Sequence, residues 1–155
     1  MPSVSQRIAS VIALAVAVSA MPAAQAALGG DVASVLHDHE ALRAADVVTA
    51  SAQQYDVHEA RSADGMHVRQ YVDRSSGKVF AVSWDGPRSP DVGRLLGASA
   101  TRYYAAARAN RGNHHVLSIN DPDLSVTVLR LPRGWQGQAY LPAALPAGVD
   151  RSEIR

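Results

Sequence analysis

The sequence predicts an α+β domain: an antiparallel sheet of five or six strands with one main helix packed on it, plus a short N-terminal helix. Three observations carry this. The runs "QYDVHEARS", "MHVRQYVDR" and "KVFAVSW" are of strand length and are joined by short turns. Between Pro90 and Ala109, apolar residues recur with a period near 3.6. After that stretch come three further strand-like runs, "HHVLSIN", "LSVTVLRL" and "GQAYLPAAL".

The chain begins with an expected export signal over residues 1–26. Arg7 is the only charge before Asp31, Ile8 to Ala20 is an apolar run, and Pro22 breaks the helix. Ala24-Gln25-Ala26 then fits the small-x-small cleavage pattern, which places the cut before Ala27. A spanning helix wants about 20 strongly apolar residues. The second half of this segment is Ala-rich and contains Pro22 and Gln25, so cleavage is expected rather than a lasting membrane span. The localisation that follows is periplasmic or secreted.

Removing residues 1–26 leaves 129 of the 155 residues, enough for a single domain, 27–155. At that size roughly two-thirds of the unfolded surface can be buried. Cysteine is absent, so no disulfide assists, and a lipid anchor on cysteine is excluded. The formal charge of +1 falls to zero once Arg7 is lost. That leaves no basic footprint for nucleic acid and no polybasic patch for anionic lipid.

The elements follow in order. Asp31 or Ser34 can cap a helix, and Val32, Val35, Leu36, His39 and Leu42 recur at helical spacing, giving the short helix over about 31–43. "AADVVTASAQQ" reads as a loop or an edge strand. Asp64-Gly65 is a tight-turn signal, and Gly77 suits a left-handed position beside a bulge. In the second strand of the meander, Met66, Val68 and Val72 share one face, and His67, Arg69 and Asp73 the other. The third is apolar on both faces, Val79 and Ala81 against Phe80, Val82 and Trp84, which marks a central strand covered on both sides. Ser89 as cap, Pro90 at the first helical position and Asp91 in the first turn start the main helix over 90–109. Asp121-Pro122-Asp123 and Pro132-Arg133-Gly134 turn the later strands. Asp150 and Glu153, three apart, have the spacing of a capping box and start a short helical turn.

"VRQYVDRSSGKVFAVSWDGPRSPDVGRLLG", residues 68–97, resembles the centre of domain-of-unknown-function family 2844, small exported bacterial proteins. "ALGGD", "YDVHEA" and "QAYLPAALPAGVDRSEIR" resemble its flanks and end, so the likeness covers nearly all of the mature chain. Its most specific block is Gly77 to Gly97. The resemblance implies no activity, ligand or partner. It places an acid at Asp38, whereas His37 and His39 are not among its features.

Candidate chemistry is sparse. His37-Asp38-His39-Glu40 invites a metal reading, but on a helix His37 and His39 lie about 200° apart around the axis. Their i, i+4 positions, Ala41 and Arg43, offer no ligand. His114 and His115, adjacent in a strand, point to opposite faces. No metal ligand set and no cofactor is therefore assigned. There is no G-x-S-x-G elbow, no phosphate loop and no dinucleotide fingerprint. Ser83 has no base in view, and His58 and Glu59 alternate across a strand and are no working pair. No catalytic residue is assigned. The candidates for binding are Trp84, Asp85 and Arg88 in "SWDGPRSPD", with Tyr104 and Trp135. Trp and Arg anchor interfaces, although Trp84 also suits a core position and Tyr103 lies on the apolar helical stripe. The expected function is a non-catalytic exported domain that binds a protein, peptide or envelope component. The competing expectation is a small hydrolase or metal-dependent enzyme.

Overall fold

The computed structural model describes residues 28–32, 35, 44–110, 112 and 115–155. The expected signal, the HDHE run and His114 lie outside them. The described strands form one antiparallel sheet of seven, in the order β1-β2-β3-β4-β7-β6-β5. They are β1 (Ala44–Ser51), β2 (Tyr55–Ser62), β3 (His67–Asp73), β4 (Val79–Gly86), β5 (Val116–Asn120), β6 (Ser125–Leu131) and β7 (Gly134–Tyr140). The expected count of five or six is thus too low. "AADVVTAS", read as loop or edge, is β1, and it pairs with β2 from Ala44–Ser62 to Ser51–Asp56. Its pattern is weak because an edge strand buries little: Val47 and Val48, on opposite faces, are both exposed.

The short helix expected over 31–43 falls mostly outside the described residues, and no N-terminal helix is delimited among those that are described. Asp31 bridges Lys78, and Val35 is buried with Val72 and Val79.

Between β4 and β5 the chain forms α1 (Val92–Leu96), a 3₁₀ turn (Gly97–Ser99) and α2 (Ala100–Ala109), which together make the main helical segment. It starts two residues later than expected. Asp91, not Ser89, is the cap, its carboxylate accepting from the Arg94 N–H at 3.2 Å. Pro90 precedes the helix instead of opening it. Gly97, at φ 50°, separates the two α segments and lets the axis change.

The two sheet faces bury different things. Facing the helix, Val68, Val82, Trp84, Val126, Val128 and Ala139 pack with Val92, Leu95, Leu96 and Leu28. On the outer face, Tyr55, Tyr71, Phe80, Ala81 and Tyr140 enclose Ile154 from the C-terminal tail. β4 is the middle strand of seven and its first six residues are all buried, as its doubly apolar sequence requires. Its side-chain alternation is not the simple one expected, however. Between Tyr71 and Val72 of β3 the register moves from Ala81 to Val79, so Phe80 is the extra residue of a bulge. The bulge sends Phe80 to the outer face with Ala81, away from Val82 and Trp84.

The tail is latched. Asp150 and Glu153 form the capping box of a 3₁₀ turn over Arg151–Glu153. Tyr55 Oη donates to Glu153 Oε2 at 2.8 Å. Tyr71 Oη donates to the Arg155 carbonyl at 2.8 Å and accepts from its N–H at 3.0 Å. Among the described residues no helix is long and apolar enough to cross a membrane.

Candidate functional site

Strand pairing arranges the outer face as three rungs running across the sheet. The rung nearest the tail is Val57–Tyr71–Ala81–Tyr140–Ser125. It is mostly apolar, and the tail residue Ile154 packs against it. The middle rung is Glu59–Arg69–Ser83–Gln138–Thr127–Ser118, polar at every position across six strands. The last rung is Arg61–His67–Asp85–Gln136–Leu129–Val116. The helical segment lies on the opposite face. A depression of about 150 Å³ opens on the polar rungs, lined by Arg69, Ser83, Asp85, Thr127, Gln136 and Gln138 among others.

The charges in this site hold one another in place. Arg69 donates from Nη1 to Asp85 Oδ1 at 3.0 Å, and its Nε lies 3.5 Å from Glu59 Oε2. Arg61 Nε donates to Glu59 Oε1 at 2.9 Å. His67 Nδ1 lies 3.8 Å from Glu59 and 4.0 Å from Asp85. Partial burial works against the Arg69 charge, but the bond to Asp85 and the field of Glu59 outweigh it, so its pKa rises. Glu59 and Asp85 thus face Arg61 and Arg69, and Arg155 of the tail also lines the depression. On the far side of Arg69, Ser83 is buried, its Oγ 3.5 Å from Tyr71 Oη. Gln136, Gln138 and Thr127 then offer amide and hydroxyl groups, able both to donate and to accept.

The arrangement is one of paired charges beside neutral hydrogen-bonding groups. Glu59 and Asp85 are each engaged by a guanidinium. Ser83 has the Tyr71 phenol for a neighbour and, among the described residues, no imidazole within hydrogen-bond distance. Among the described residues no three His, Cys, Asp or Glu side chains are grouped to hold a metal ion. The two guanidiniums would also oppose a cation beside Glu59.

The residues singled out from sequence are dispersed. Trp84 is 1% exposed in the core beneath the helix, and its indole N–H has no hydrogen-bond partner among the described residues. Asp85 belongs to the polar face, through Arg69. Arg88, its side chain 72% exposed, pairs with Asp64 at 2.9 Å on a neighbouring loop. Tyr104 is exposed, edge-on to Tyr103 with ring centroids 5.4 Å apart, and Tyr103 packs against the core. Trp135 is half-buried, with the Arg130 guanidinium 5.5 Å from its ring centroid. Sequence reasoning missed Glu59, Arg69, Ser83, Thr127 and Gln138 as a group. Their only signal is a polar residue at the same parity in successive strands, which becomes one row once the register is known. His58 and Glu59 do lie on opposite faces, as expected.

The model of a family described as "Protein of unknown function (DUF2844)" matches residues 24–154. No curated protein matches the chain, and neither does any solved structure.

Proposed function

The chain belongs to the family described as protein of unknown function DUF2844, and from that premise we propose that it is an exported, non-catalytic domain that binds a protein or peptide of the cell envelope through the polar half of its outer sheet face. One observation carries this reading. The aromatic rung of that face is sealed by the chain's own tail, while the two rungs beside it stay open around a depression that the tail reaches only with Arg155. With strands about 4.8 Å apart, Arg69 to Thr127 spans roughly 14 Å, the length of about four extended residues. The alternating donors and acceptors along it match peptide amides and polar side chains. Because the charges are already paired, little reorganisation is needed on binding.

A photo-crosslinking residue at position 138 tests this in the cells that produce the protein. It should give a discrete adduct that disappears when Arg69 is replaced by Ala. The same probe at Arg102, which is exposed on the helical segment, should give none. Equal labelling from both positions would refute the assignment. Export rests on Ile8–Ala20 and the Ala24-Gln25-Ala26 pattern. Protein recovered outside the cytoplasm should begin at Ala27, and recovery of intact chain from the cytoplasm alone would overturn that part.

A further inference from the structure

The β6–β7 hairpin ends in a feature that the outer-face site does not use. Arg130, Leu131, Pro132 and Arg133 are all exposed, Leu131 at 47%, and Trp135 is half-buried beside them. The pairing register sets Arg130 opposite Trp135 and Leu131 opposite Gly134. Arg130 and Trp135 therefore share one face of the hairpin, Leu131 lies on the other, and Pro132-Arg133 form the turn. The nearby acids are already engaged, Asp85 by Arg69 and Asp64 by Arg88. Among the described residues neither Arg130 nor Arg133 forms an ion pair, and Arg130 lies over the Trp135 ring.

We propose that this tip inserts shallowly into a bilayer surface carrying anionic phosphate headgroups. Leu131 and the open edge of the Trp135 ring, the rest of which packs against the core, reach the headgroup–acyl boundary, and Arg130 and Arg133 remain among the phosphates. Two arginines fall short of the cluster that binds lipid by charge alone, so the apolar pair is needed as well. A bilayer is favoured over an acidic protein because the apolar groups sit on both faces of the tip. A lipid interface surrounds such a tip, whereas a protein pocket covers one side. Trp and Arg are also the amphipathic side chains that settle at that depth.

Trp135 provides the readout, since the only other tryptophan, Trp84, is sealed in the core. Vesicles of phosphatidylglycerol carrying brominated acyl chains should quench and blue-shift its emission, and phosphatidylcholine vesicles should do so far less. Arg130→Gln with Arg133→Gln should lower partitioning onto the anionic vesicles roughly thirtyfold, at about fivefold per arginine. Leu131→Ser should weaken quenching while leaving the melting temperature in place. Any binding through the N-terminal apolar segment is common to all variants and does not report at Trp135. The proposal is overturned if Trp135 is quenched equally in all variants, if neutral and anionic vesicles act alike, or if the tip binds soluble polyglutamate but not vesicles.

Discussion

The indole of Trp84 occupies the space in which a side chain at residue 137 would have to sit. The two residues are directly paired across β4 and β7, and a Cβ built on Gly137 would collide with the six-membered ring. A glycine in the interior of a strand costs stability. Here its absent side chain is what admits the largest buried side chain of the core. Gly137→Ala should therefore destabilise by about 1–3 kcal/mol through overpacking, and Trp84→Ala by about 3–5 kcal/mol through the cavity it leaves. In a double-mutant cycle of melting curves the two costs should be strongly non-additive, because Trp84→Ala removes the collision. A normal melting curve for Trp84→Ala would contradict its central place.

The tail is part of the core. Ile154→Ala should cost about 2–4 kcal/mol and expose the segment after Tyr140 to limited proteolysis ahead of the sheet. Uniform cleavage kinetics in both proteins would contradict this.

Tyr55 sets an alkaline limit. Desolvation of its phenol, the hydrogen bond to Glu153 and the charge of that carboxylate raise its pKa from 10.0 to about 12. A raised folded-state pKa stabilises fully below the unfolded value and loses that contribution as pH climbs through the folded one. Stability should thus fall between about pH 10 and 12, and Tyr55→Phe should flatten that part of the curve. Denaturant titrations across the interval, alongside tyrosinate absorbance, provide the check.

His58 sets a limit on the acid side. Burial lowers its pKa below 6.5, against the opposing pull of Asp56, and its Nδ1 lies 3.3 Å from Thr49 Oγ1. The neutral ring is favoured in the folded state, so its contribution is present above the unfolded value and is lost as pH falls through the folded one. The melting temperature should drop between about pH 7 and 5, and less so in His58→Asn. Asp73, whose pKa is lowered by hydrogen bonds from Ser76 and Ser75, titrates at lower pH and leaves this window clear.

Arg69 stands between two acids on the open face. Arg69→Met should destabilise by about 1–3 kcal/mol by leaving Glu59 and Asp85 without it. Adding Asp85→Asn should restore part of the loss, because Asp85 is the acid left without a guanidinium, whereas Arg61 still pairs with Glu59. Additive losses in the double variant would show that the three side chains do not act as a unit.

Much of the fold was legible along the chain. Asp64-Gly65 marked a turn, and the doubly apolar run from Val79 to Trp84 marked the central strand. The stripe through Val92, Leu95 and Leu96 marked the helix. Asp150 and Glu153 marked the final capping box. These signals are local: a turn, a cap or an alternation is set by residues within a few positions of one another. β1 was ambiguous because an exposed edge gives no strong pattern. The bulge at Phe80 was invisible because it depends on β3 meeting β4 in one register. The polar rung from Glu59 to Thr127 joins residues up to 79 positions apart, Glu59 and Gln138, and only the pairing of β2, β3, β4, β7 and β6 makes it a row. For the same reason Trp84, the most conspicuous residue of "SWDGPRSPD", went into the core while its neighbour Asp85 joined the open face. Sequence alone marked the main helix and six of the seven described strands, and left β1 between a loop and an edge strand. Only the tertiary structure decided which polar side chains meet, because register and the tail that closes one rung are set by contacts between distant parts of the chain.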